Sequence, residues 1–206
     1  MNCDGIARWY RWLEYFGFGR ELERRRFHFL AGLGDAKRVL ALGEGDGRFL
    51  ARLAEQNPGA AIDCVDASAR MLALARGRTL GSHVNFQLAD IRLMPLPCSE
   101  YDLVVTHFLL DCFEEADLRA VAARVAAAAQ PGARWVVSEF RQPANGWRAA
   151  WARSWLVLLY WFFRATTGLT TRALVDHHPI LESFGFRLER QRTSRFGLLT
   201  SELWQR

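Results

Sequence analysis

One stretch restricts the fold more than any other. It is Arg38-Val39-Leu40-Ala41-Leu42-Gly43-Glu44-Gly45-Asp46-Gly47, followed after a helical pattern by Ile62-Asp63-Cys64-Val65-Asp66. An apolar run enters three closely spaced glycines, and a second such run ends on a carboxylate. In a βαβ unit a glycine turn lets a ligand approach bare backbone, and the helix start offers unpaired N–H groups. A carboxylate at the tip of the next strand accepts hydrogen bonds from both hydroxyls of a ribose. The pattern points to a pocket for an adenosine-like molecule; a glycine-rich βα turn without ligand is the plainer alternative.

The rest of the chain repeats the alternation. Strands are expected at Val39–Leu42, Ala61–Val65, Val84–Leu88, Tyr101–Thr106 and Trp135–Phe140, and helices at Arg48–Gln56, Ala67–Arg78 and Glu114–Gln130. In the last helix Leu118, Val121, Ala122, Val125 and Ala129 share one face, and acidic residues at its start suit the helix dipole. Pro131-Gly132 is expected to stop it. Ile6–Leu33 reads as helical with a break at Phe16-Gly17-Phe18-Gly19, and Asn145–Ala165 as a long aromatic helix. A short helix at Ile180–Phe184 and two late strands, Phe186–Thr193 and Leu198–Trp204, complete the order. The 206 residues suffice for one sizeable α/β domain and are short for two. Residues 1–34 would form a helical cap on it, and 142–178 an aromatic segment on the substrate side.

The glycine spacing narrows the ligand. A dinucleotide fingerprint, G-x-G-x-x-G/A, would need a small residue where Arg48 stands, and the Lys-Ser/Thr of a P-loop is absent. Gly43-x-Gly45-x-Gly47 resembles motif I of the class I S-adenosylmethionine (SAM) methyltransferases. The resemblance runs from Val39 to Trp204 and implies a Rossmann-like α/β fold: a mostly parallel seven-stranded sheet with a late antiparallel strand and helices on both faces. It implies SAM as cofactor and S-adenosylhomocysteine (SAH) as product. Gly43, Glu44, Gly45 and Gly47 would form the cofactor loop. Val65-Asp66-Ala67-Ser68-Ala69-Arg70-Met71-Leu72 is similar to motif II, which puts Asp66 on the ribose and Ala67 and Met71 beside the adenosine. Ala89-Asp90-Ile91 resembles motif III, with Asp90 accepting from the adenine amino group. Asp102–Thr106 and then His107 resemble motif IV, so Thr106 and His107 would border the transferring methyl. Gln130-Pro131-Gly132-Ala133 resembles the turn before strand five.

Methyl transfer from a sulfonium asks mainly for alignment and desolvation. A base is needed only when the acceptor arrives protonated. Candidates are His107, Asp111, Glu139, His177 and His178, with His107 and Asp111 placed first as catalytic residues. Glu139 and Arg141 end strand five beside the same cleft and either bind substrate or pair on its rim. Tyr10, Phe18, Trp147 and Trp151 belong to two aromatic segments that would line a lipophilic or aromatic acceptor, or simply pack helix on helix. Tyr10 and the Phe16–Gly19 break are similar to the quinone-biosynthesis C-methyltransferases. The Arg-Asn pair those enzymes carry after strand four is replaced here by Leu109-Leu110-Asp111-Cys112, so quinone specificity does not carry over. The Asn/Asp-Pro-Pro-aromatic motif of nucleic-acid amino-methyltransferases, the paired glutamates of arginine methyltransferases and a catechol-type metal set are absent. A small acceptor without metal is expected.

The charge of +5 comes almost wholly from arginine, Lys37 being the one lysine, with no basic face that would mark nucleic-acid binding. Cys3, Cys64, Cys98 and Cys112 lack metal-site spacing. The longest apolar run, Trp155–Phe163, is short of the roughly twenty residues that span a bilayer. A cytoplasmic enzyme is the expectation. A non-catalytic SAM-binding protein, or a membrane-surface enzyme resting on the Trp147–Phe163 helix and acting on a lipid-like quinone, are the alternatives. Oligomeric state is not encoded in these features.

Overall fold

The computed structural model describes residues 19–141, 174–194 and 197–206. Within them run α1 (Glu21–Arg26), a 3-10 turn at Leu30–Gly32, β1 (Arg38–Leu42), α2 (Arg48–Gln56), β2 (Ala61–Asp66), α3 (Ala69–Arg78) and β3 (Val84–Leu88). Then follow β4 (Tyr101–His107), a 3-10 turn at Leu110–Cys112, α4 (Glu115–Ala128), β5 (Ala129–Phe140), α5 (His178–Ser183), β6 (Arg187–Thr193) and β7 (Leu199–Gln205). The strands form one sheet in the order β3-β2-β1-β4-β5-β7-β6. β1 to β5 pair in parallel, whereas β7 runs antiparallel to both β5 and β6.

Strand alternation sorts the apolar residues into two cores. Leu40, Leu42, Val104, Trp135, Val137 and Trp204 face α4 and α5. Val39, Ala41, Leu103, Val105, Val136 and Leu203 face α2 and the Phe27–Leu33 segment. The central strands are covered on both sides, which is why they read as unbroken apolar runs. The sheet order reverses between β1 and β4, so their carboxyl ends splay apart and leave the crevice in which open α/β sheets bind ligands.

Some boundaries differ from the sequence reading. Helix α4 ends at Ala128, and extended backbone begins at Ala129, which pairs with Tyr101. Pro131-Gly132 therefore lies inside β5, where Gly132 takes φ +80° and its N–H bonds Arg206 O. Helix α3 starts two residues late because Ser68 serves as its N-cap, its hydroxyl accepting from Met71 N–H. The helical stretch expected from the Phe16–Gly19 break to Leu33 stops at Arg26 and resumes only as the 3-10 turn. The aromatic stretch 145–165 lies outside the described residues.

Candidate functional site

The loop from β1 to α2 holds all three glycines at positive φ, each for a different reason. Gly43 (φ +63°) backs onto Leu109, whose Cδ1 would lie 2.7 Å from an added Cβ. Gly47 (φ +75°) packs on α3: an added Cβ would meet Ala75 Cα at 2.5 Å. Gly45 (φ +61°) faces nothing within 4 Å. A left-handed glycine with open space above it is a backbone prepared for close approach rather than for internal packing. Its N–H donates to Asp66 Oδ2 at 3.3 Å, while Ser68 N–H holds Asp66 Oδ1 at 2.8 Å. The open glycine and the strand-tip carboxylate are thus neighbours, as a nucleoside with a free ribose requires. Each carboxylate oxygen can accept further bonds.

Beneath this loop lie two polar groups without hydrogen-bond partners among the described residues. Both Glu44 carboxylate oxygens and His107 Nε2 are buried and unpaired, with Nε2 3.9 Å from Glu44 Oε1. Burial pushes the Glu44 carboxyl up to about 7, although the Arg26 guanidinium and the backbone at Leu50 in the first turn of α2 pull the other way. The His107 ring sits edge-on to Phe49 at 4.5 Å, and desolvation pushes it well below the usual histidine range. His107 thus reaches the tip of β4 as a neutral, enclosed imidazole.

The residues that the resemblance puts beside an adenosine differ in burial. Met71 and Ile91 are buried, whereas Ala67 is exposed and Ala89 half-buried. Asp90 is clamped by Arg92, whose Nη2 lies 2.6 Å from Oδ2, and this guanidinium holds the carboxyl below its ordinary range. Arg92 in turn reaches Asp117 of α4 at 3.0 Å. Thr106 turns its hydroxyl into the α4-side core, where it accepts from Trp135 Nε1 at 3.0 Å. Only its backbone is left to border the crevice.

Glu139 and Asp111 form a buried pair at the carboxyl ends of β4 and β5. Glu139 Oε1 accepts from Leu109 N–H (3.0 Å) and Leu110 N–H (2.8 Å), and Oε2 lies 3.4 Å from Asp111 N. The carboxylate therefore fastens the turn that carries Leu109 against Gly43. Burial raises both carboxyls, and Asp111 raises Glu139 further by its charge and their shared hydrogen bond, which pulls Asp111 the other way. No ion pair joins Glu139 to Arg141, which is exposed and bonds Leu198 O through its backbone. Cys112 Sγ lies 3.5 Å from Asp111 Oδ1.

The sequence reading did not single out Glu202, a further buried acid. Its oxygens accept from His177 Nε2 (2.8 Å), His178 Nε2 (2.9 Å), Gln191 Nε2 (2.9 Å), Trp204 Nε1 (2.9 Å) and Thr200 Oγ1 (3.2 Å). His177, His178 and Glu202 lie close enough to share a cation. With both oxygens saturated by donors, the arrangement instead ties the start of α5 to β6 and β7. The two donated imidazole hydrogen bonds hold Glu202 far below the ordinary carboxylate range despite its burial, and raise His178. Alternation along β7 could have exposed it, since a Glu between Thr200 and Trp204 on an inward face demands partners. Tyr10, Phe18, Trp147 and Trp151 lie outside the described residues.

Residues 39–132 match the sequence profile of a family described as "Methyltransferase domain". No curated protein matches the chain. Among solved structures, the N-methyltransferase NodS from Bradyrhizobium japonicum WM9, in complex with SAH, superposes with a TM-score of 0.66 at 18% identity, over 90% of this chain and 87% of that one. Magnesium protoporphyrin IX methyltransferase (ChlM) from Synechocystis PCC 6803, with bound SAH, gives 0.63 at 19% identity, over 93% and 84%. A SAM-dependent methyltransferase from Mesorhizobium loti gives 0.65 at 18%, over 90% and 100%. Residues 39–132 are a methyltransferase domain, and the chain has the fold of the class I SAM-dependent methyltransferases.

Proposed function

We propose that this chain binds SAM and moves its methyl group to a small, lipophilic or aromatic acceptor, the whole chain working as one unit. The observation that carries this reading is the open, left-handed Gly45 beside the Asp66 carboxylate at the β1/β4 switch point. Two structural neighbours whose reported structures contain SAH share the fold at TM-scores of 0.66 and 0.63.

In this reading Asp66 accepts from the ribose hydroxyls, and Gly43, Gly45 and Gly47 give the amino-acid end access to backbone. Met71 and Ile91 pack near the adenine, whose amino group Asp90 accepts. When bound, SAM supplies an electron-poor methyl on sulfur, open to in-line displacement. The chain's own share is to orient the two reactants and exclude water, which is worth about 7–11 kcal/mol at best. His107 is the candidate for the acceptor's proton at Nε2, since its Nδ1 is already engaged by Ser138 Oγ at 2.9 Å. Desolvation keeps the ring unprotonated and so open to a proton, at the cost of basicity. Glu139 holds the Leu109–Asp111 turn, and Asp111 shares its proton. The apolar acceptor is supported by the aromatic content of residues 9–18 and 147–163. Among the described residues no helix is long and apolar enough to cross a membrane.

Incubation with methyl-labelled SAM and a cell extract, followed by separation of small molecules from macromolecules, tests the reading. Label is expected in the organic-soluble small-molecule fraction and strongly reduced with Asp66→Ala. Label confined to protein or nucleic acid, or none at all, would overturn it.

A further inference from the structure

Glu44 and His107 form an arrangement that the placement of SAM does not by itself explain. Ser138 Oγ lies 2.9 Å from His107 Nδ1 and 3.2 Å from the carbonyl oxygen of Arg25, which also accepts from Ser201 Oγ at 2.7 Å. Nδ1 is thereby engaged in either tautomer, and Nε2 is turned to Glu44 Oε1, 3.9 Å away. Both groups are buried, and an ionised carboxylate enclosed against that ring is costly. The arrangement becomes favourable when one proton lies between the two groups.

We propose that this shared proton makes Glu44 a reader of the ligand's charge: a sulfonium at the glycine loop displaces the proton to solvent, and a neutral thioether lets it return. The inference rests on the SAM reading above, and it makes Glu44 a specificity-determining residue that favours the charged methyl donor over the spent product. Glu44 is placed for this between Gly43 and Gly45, in the loop itself. The charged and titratable groups around it are Arg26 from α1, His107 from β4, Asp46 in its own loop, and Asp66 and Cys64 from β2. Arg26 favours ionisation, Asp46 and Asp66 oppose it, and burial opposes it most. That balance leaves Glu44 titrating at about 7, where one added positive charge decides its state.

Calorimetric titration of the full chain with SAM and with SAH, at pH 6 and pH 8, tests this. The two ligands share adenosine and the α-amino acid, so their affinity ratio isolates the methyl and its charge. The SAM-to-SAH ratio is expected to rise by up to about tenfold from pH 6 to pH 8, and SAM binding at pH 6 to release up to about one proton more than SAH binding. Glu44→Gln is expected to flatten the ratio. A ratio that stays constant with pH while both ligands bind would overturn the charge reader and leave the cofactor site standing. Failure of both ligands to bind at either pH would overturn the SAM reading itself. The wild-type titration decides, so poor folding of the variant does not blunt the test.

Discussion

Adding one methyl group at Gly45 or at Gly47 separates ligand space from packing space within a single loop. Both residues have positive φ, +61° and +75°, so alanine at either position carries a left-handed penalty of about 1–2 kcal/mol. At Gly47 the new Cβ would sit 2.5 Å from Ala75 Cα and 2.5 Å from its Cβ. The clash is partly with backbone, so α2 and α3 must move apart, an overpacking cost of about 1–3 kcal/mol more. Gly47→Ala should therefore lose about 2–5 kcal/mol of stability. Gly45→Ala has no atom within 4 Å to strike, and only the conformational term should remain. Its methyl would instead project into the space assigned to the ligand. Urea unfolding with SAM titration on the same samples reads both effects: Gly45→Ala losing only the conformational term of about 1–2 kcal/mol in stability but at least about tenfold weaker in SAM, a loss of about 1.4 kcal/mol. Gly47→Ala should unfold early and, where folded, bind. Native SAM affinity in Gly45→Ala would refute the assignment of that space.

Other outcomes follow from the same geometry. Asp66→Ala should weaken SAM and SAH alike, by about 1.5–3 kcal/mol for loss of a charged acceptor, as read by calorimetry. Asp111 has a raised folded-state carboxyl, so the folded chain holds a proton that the unfolded chain has lost, and this contribution to stability fades as pH rises above the ordinary aspartate value. Asp111→Asn should accordingly narrow the stability difference between pH 5 and pH 8, read by urea midpoints. Glu202 behaves oppositely: its carboxyl is depressed, so its contribution is present above the ordinary glutamate value and is lost as pH falls through the lower folded value. Because its oxygens already accept five donors, added zinc or chelator should leave the melting temperature of the full chain unchanged, and a zinc-dependent rise would contradict the hydrogen-bond reading.

The sheet was legible because its central strands are unbroken apolar runs punctuated by glycine, and because β2 ends on Asp66. Boundaries failed where tertiary pairing overrode a local stop: Ala129 joins Tyr101 in the sheet, so Pro131-Gly132 bends a strand instead of ending a helix. In the site, Asp66 and the glycines could be read from spacing alone, since a βαβ unit fixes where they meet. The partners of the buried polar groups could not. Glu44 reads as an ordinary loop acid until the fold buries it against His107, and Glu139 reads as a rim residue until three backbone N–H groups converge on it. Such roles come from residues distant in sequence, and no local pattern announces them. Leu109 illustrates the same point, because its contact with Gly43 links the β4 turn to the glycine loop across more than sixty residues.

The most direct test labels the glycines with nitrogen-15 and follows their amide signals as SAM is added to the full chain. Saturable shifts at Gly43, Gly45 and Gly47, largest at Gly45 as its N–H exchanges Asp66 for a new environment, with Gly81 and Gly185 unmoved, are the predicted result. A titration that leaves the Gly45 signal in place while SAM binds elsewhere would contradict the account.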